Sequence, residues 1–65
     1  MYAEERQQSI AESISTRGRV SVSDLSAIYG VTTETVRRDL AVLDRLGVVR
    51  RVHGGAVPAS ALTAT

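Results

Sequence analysis

Residues 21–47 read SVSDLSAIYGVTTETVRRDLAVLDRLG, and this stretch decides the fold. Its first four residues have the form of a capping box, with Ser21 placed to accept a hydrogen bond from the coming turn and Asp24 placed to reach back. A helix starts there with Val22, Leu25, Ile28 and Tyr29 on one side, and Gly30 stands where a helix end takes a left-handed residue. After Val31, Thr32 reads as the N-cap of another helix that runs to Leu46 and stops at Gly47. At about 100° per residue, Val36, Leu40 and Leu43 form an apolar stripe, while Glu34, Arg37, Arg38, Ala41 and Arg45 lie on the other side. The stretch therefore encodes two helices joined by a tight turn, the second with an apolar face for the core and an Arg face for water or a ligand.

On its N-terminal side, Ala3, Ile10, Ala11 and Ile14 recur near helical spacing from Tyr2 to about Ser15, with Glu4 and Glu5 where the helix dipole favours negative charge. Thr16, Arg17 and Gly18 break this first helix, and Arg19 to Ser21 is a β-prone piece in which Val20 can supply a strand to a small sheet. On the C-terminal side, Val48 to Val57 reads as a strand, a Gly54-Gly55 turn and a second short strand, closed by Pro58. The fold expected is mainly α with a small β-sheet: a three-helix winged helix-turn-helix with a β-hairpin wing. It occupies residues 3–58, with the helix-turn-helix at about 20–39 and the wing at about 48–57. Residues 59–65 are expected to form a flexible tail or the start of a linker.

Sixty-five residues suffice for one domain, because a chain of this size buries only about 60% of its unfolded surface and has no room for a deep catalytic cleft. The 43% hydrophobic and 23% charged content belongs to a folded soluble protein. No stretch approaches the roughly 20 apolar residues of a spanning helix. Glu4, Glu5 and Arg6 also occupy the place where a signal peptide needs its apolar core, so a cytoplasmic protein is expected. With no Cys and a single His, His53, there is neither a disulfide framework nor a ligand set for structural zinc, and no cofactor is expected. Neither a second His, a phosphate-cradling glycine loop nor a plausible carboxylate pair is present, which argues against an enzyme.

The net charge of +1 is uninformative, but its distribution is not. From Met1 to Val36 there are three Arg and five acidic residues, a net of −2, whereas Arg37 to Arg51 holds five Arg and two acidic residues, a net of +3. The basic quarter of the chain is thus also the third helix and the wing. In a helix-turn-helix, the N-terminal residues of the second helix face the base edges of double-stranded DNA, and here these are Thr32 to Arg38. Arg37 and Arg38 each carry a planar fork that can take guanine O6 and N7 together or clamp a phosphate. Thr33, Glu34 and Thr35 can add methyl contacts, cytosine amino contacts or phosphate hydrogen bonds, and Glu34 can instead hold Arg38 four residues on. In the wing, Arg50, Arg51 and His53 are the candidate contacts, and Gly54 and Gly55 let backbone approach a phosphate or the minor groove.

Each residue also has a plainer reading. An Arg doublet can be a solvated face, His53 a hydrogen-bonded structural residue, the two glycines a turn requirement, and Asp39 a salt-bridge partner that fixes a neighbouring Arg. A winged helix can also serve as a protein-protein interaction module, though one would expect an exposed apolar patch where Arg37, Arg38 and Arg45 stand. The lack of an aromatic stacking platform argues against RNA.

The runs VSVSDL (20–25), VTTETVRRDL (31–40), LDRLG (43–47) and RVHGGA (51–56) resemble the signature of the DeoR-type helix-turn-helix over about residues 3 to 58. Thr32 takes a place where that family often has Ser, and both residues cap. The resemblance implies a bacterial transcription regulator, usually a repressor of sugar or nucleoside catabolic genes, that binds its operator as a dimer or higher oligomer. It also implies a larger C-terminal domain that senses a phosphorylated sugar and assembles the homo-oligomer, to which no residue here corresponds.

Overall fold

A computed structural model describes residues 2–59. The elements follow in the order α1 (Ala3–Arg17), β1 (Val20–Ser21), α2 (Val22–Tyr29), α3 (Thr33–Arg45), β2 (Val49–Val52) and β3 (Gly55–Pro58). This is the expected order of three helices and a hairpin, with β1 as the third strand. The residues expected to form a tail lie outside the described residues except for Ala59, whose N–H donates to Val48 O at 3.4 Å. Among the described residues no helix is long and apolar enough to cross a membrane.

Local chemistry sets the helix ends. Ser21 Oγ accepts from the Asp24 N–H at 3.0 Å, and Thr32 Oγ1 accepts from the Thr35 N–H at 3.1 Å, so both expected N-caps form. The return hydrogen bond expected from the Asp24 side chain is not made. At the end of α3 the Val48 N–H donates to Leu43 O and the Gly47 N–H to Asp44 O, the paired bonds of a Schellman motif. That motif turns the chain sharply out of α3 and into β2. The turn between α2 and α3 is tied by Val31, whose N–H donates to Ser26 O while its carbonyl accepts from Ser26 Oγ.

The three strands form one antiparallel sheet in the order β1-β3-β2. Val20 faces Ala56 and Ser21 faces Gly55 in one ladder; Val49 faces Pro58 and Val52 faces Gly55 in the other. Because Val52 and Gly55 are paired, the hairpin tip is His53-Gly54 and not the expected Gly54-Gly55. His53 has no positive φ and Gly54 has φ +76°, the sign pattern of a type II turn, which needs glycine at its second central position. Gly55 has a different duty. It is buried in β3, and a Cβ built on it would lie 2.0 Å from Val20 O, so its lack of a side chain lets β1 approach.

The core gathers residues from every element: Ile10 and Ile14 of α1, Val20, Val22 and Leu25, the stripe Val36, Leu40 and Leu43 of α3, and Val49 and Ala56 of the sheet. Ala11, Tyr29 and Val31 pack against it, and the Tyr29 hydroxyl shares a 2.6 Å hydrogen bond with Ser9 Oγ of α1. Two residues expected on apolar faces are outside the core. Ile28 is 56% exposed because, at about 100° per residue, it falls to the side of the strip formed by Val22, Leu25 and Tyr29, and Ala3 is exposed in the first turn of α1.

Candidate nucleic-acid interface

Helix α3 presents two faces with opposite chemistry. Its inner face is buried through Val36, Leu40 and Leu43, and Asp39 is buried beside them at 2% exposure. A buried carboxylate needs partners, and α1 provides them. Arg6 Nε donates to Asp39 Oδ2, Arg6 Nη2 to Oδ1 at 3.2 Å, and Gln7 Nε2 to Oδ1 at 3.0 Å. The hydrogen bond to Asp39 raises the Arg6 pKa above its ordinary value, and the charge of Asp39 acts in the same direction. Asp39 does form a salt bridge, but to Arg6, 33 residues away on α1, and not to a neighbouring Arg as expected. It fixes the angle of α3 against α1, so Asp39 orients the helix from behind.

The outer face carries the candidate contacts. Thr32 and Thr35 are held together by the cap, with their hydroxyl oxygens 3.0 Å apart. Thr33 Oγ1 accepts from Arg37 Nη1 at 3.4 Å, a long bond that leaves most of the guanidinium free. Glu34 and Arg38 are both exposed and, among the described residues, form no ion pair with each other. The alternative in which Glu34 holds Arg38 is therefore not realised, and Arg38 stands free for a ligand.

In the wing, Arg50 and Arg51 part company. Arg50 Nη1 lies 3.6 Å from Asp44 Oδ1, while the Arg51 N–H donates to Asp44 Oδ2 at 3.3 Å. One carboxylate on the last turn of α3 thus holds the backbone of β2 and partly neutralises Arg50. The Arg51 side chain is directed elsewhere: with Arg37, His53, Gly54 and Gly55 it lines a groove of about 320 Å³ between α3 and the wing, floored by Val22, Leu40 and Val52. Five of the expected contact residues, from two separate segments, meet there. Thr32, Thr33, Glu34, Thr35, Arg38 and Arg50 lie outside this groove.

Asp44 and Arg6 are the functional supports that sequence reading missed. Asp44→Ala should cost about 0.5–1.5 kcal/mol, the net value of one hydrogen bond, because the half-exposed Arg50 pair adds little. Hydrogen exchange at the Arg51 amide should accelerate while the amides of α1 keep their protection. Unchanged exchange at Arg51 would mean that Asp44 does not hold the wing.

Three helices with a helix-turn-helix, a hairpin wing and an Arg-bearing outer face on the second helix of the motif define a winged helix-turn-helix of the DNA-binding class. The chain belongs to the DeoR-like helix-turn-helix domain family, which it matches over residues 6–61. It is 49% identical over 57 residues to the HTH-type transcriptional regulator YulB of Bacillus subtilis, covering 88% of this chain and 22% of that protein. It is 45% identical to the lactose phosphotransferase system repressor of Streptococcus mutans over 86% of this chain and 22% of that one. It is 42% identical to the glycerol-3-phosphate regulon repressor of Haemophilus influenzae, again over 86% of this chain and 22% of the repressor. The chain thus spans about a fifth of the length of each of these three relatives. No solved structure matches it.

Proposed function

We propose that these residues are the DNA-reading head of a transcriptional regulator, binding double-stranded DNA with α3 in the major groove and the wing against the neighbouring backbone or minor groove. One observation carries this reading. Arg6 and Arg50 are paired with acidic residues, and of the six Arg without an ion pair among the described residues four, Arg37, Arg38, Arg45 and Arg51, lie on α3 and the wing, while Arg17 and Arg19 lie at the end of α1 and before β1. Uncompensated like charge on one surface disfavours the isolated fold and favours an anionic partner. The contact set is Thr32, Thr33, Glu34, Thr35, Arg37, Arg38, Arg50, Arg51, His53, Gly54 and Gly55, and the domain acts by binding, without catalysis. A protein-docking role is the weaker reading, since the exposed large apolar residues Tyr2, Ile28, Leu46 and Val48 sit at helix ends and in a loop.

The whole regulator is, in this reading, a cytoplasmic repressor of genes for sugar or nucleoside catabolism. It works as a homo-oligomer and responds to a sugar-phosphate effector bound outside these residues. The names of the lactose and glycerol-3-phosphate repressors support the sugar assignment. The test is an NMR titration of the labelled domain with a random-sequence duplex at two salt concentrations. Shifts should be confined to Thr32–Arg38 and Arg50–Ala56 and should weaken as salt rises, as counterion release requires. An absence of shifts at low salt would refute DNA binding and point to a protein partner.

A further inference from the structure

Arg37 and Arg38 are adjacent in sequence but stand about 100° apart around α3, and only Arg37 lines the groove shared with the wing. That groove collects Arg37 from α3, Arg51 from β2 and His53 from the hairpin tip, and no acidic residue lines it. Its floor is apolar, with Leu40 1% and Val22 7% exposed, so charge at its rim acts beside a low-dielectric wall. Three nitrogen-bearing side chains converging from separate elements on a concavity without a counter-charge make a seat for an anion.

Resting on the DNA-binding reading above, we propose that this groove seats a backbone phosphate of the duplex, held by Arg37, Arg51 and His53, and that base readout falls to Arg38. With α3 in the major groove and the wing across the adjoining strand, the space between them is where the sugar-phosphate ridge passes. A side chain shared with the wing therefore faces that ridge, whereas Arg38, turned away from it, keeps its fork free for a base edge. Arg37 is then a register-setting contact that is blind to sequence. Asp44 serves the same seat from behind by pinning the backbone of Arg51.

The test is selection of binding sites from a random duplex pool by the wild-type domain and by Arg37→Ala, Arg37→Lys, Arg51→Ala and Arg38→Ala, each first checked for a native amide spectrum. Affinity for the wild-type consensus is then followed against salt. Arg37→Ala and Arg51→Ala should each recover the wild-type consensus with weakened binding and lower the steepness of the salt dependence by about 1. Arg37→Lys should restore both, because a phosphate needs charge more than a planar fork. Arg38→Ala should recover a consensus degenerate at one or more positions. A relaxed consensus for Arg37→Ala, or an Arg37→Lys variant no better than Arg37→Ala, overturns the proposal while leaving DNA binding in place. A wild-type domain that enriches no sequence but binds all duplexes leaves Arg38 without a readout role and also overturns it. Failure of the wild-type domain to retain any duplex removes the underlying reading as well.

Discussion

Gly55→Ala should leave the domain without a cooperative unfolding transition at 25 °C, although it adds a single methyl group. The new Cβ would lie 2.0 Å from Val20 O and 3.1 Å from Ser21 Cα, both backbone atoms that cannot swing aside. Relief requires β1 to part from β3, which breaks the ladder at Ser21-Gly55 and Val20-Ala56 and exposes two core residues, Val20 and Ala56. Overpacking typically costs about 1–3 kcal/mol even where side chains can adjust, and here none is available to do so. A 65-residue domain has roughly 3–10 kcal/mol in total. Gly54→Ala is the internal comparison: its φ is +76° with open space around the position, so it should cost only about 1–2 kcal/mol of backbone strain. Urea titrations followed by circular dichroism check the order of the two. Equal losses would contradict the close approach of β1 to β3.

The contrast between these two glycines marks where sequence reading succeeds and where it stops. From the sequence the doublet is one turn signal; which member turns and which admits a neighbouring strand depends on pairing with β1, more than thirty residues earlier. Features set within a few residues were legible. Ser21 and Thr32 cap as their positions imply, and the spacing of Val36, Leu40 and Leu43 identifies the buried face of α3. Ile28 escaped because periodicity names a face of α2 without saying how wide a strip of it the core covers. The candidate contacts of α3 and the wing could be named from the clustering of Arg. Their division could not, since Asp44 captures Arg50 and the Arg51 backbone only after the Schellman turn has folded β2 back onto α3. Arg6 had no local signal at all, because its partner Asp39 lies on another helix.

Leu40→Ala should remove about 2–5 kcal/mol, the cost of truncating a fully buried leucine, a large share of the roughly 3–10 kcal/mol available. Leu40 is 1% exposed in the middle of α3, in the core that also holds Ile10, Ile14, Leu25 and Val49. The site also lies next to Asp39, whose hydrogen bonds to Arg6 and Gln7 tie α1 to α3, so the gap cannot close by sliding one helix over the other without straining that tie. Poor relaxation places the loss toward the upper end of the range. Two residues before it, Arg38→Ala removes only an exposed side chain without an ion pair and should shift the unfolding midpoint little, surface changes being usually within about 0.5 kcal/mol. Binding should respond the other way round at low temperature, where Leu40→Ala is still partly folded. Its folded fraction should bind duplex DNA once corrected for population, while the fully folded Arg38→Ala domain discriminates poorly among sequences. Parallel thermal melts and binding curves for the two variants separate these effects. If Arg38→Ala lost as much helicity as Leu40→Ala, the outer face of α3 would be part of the core and unavailable to DNA.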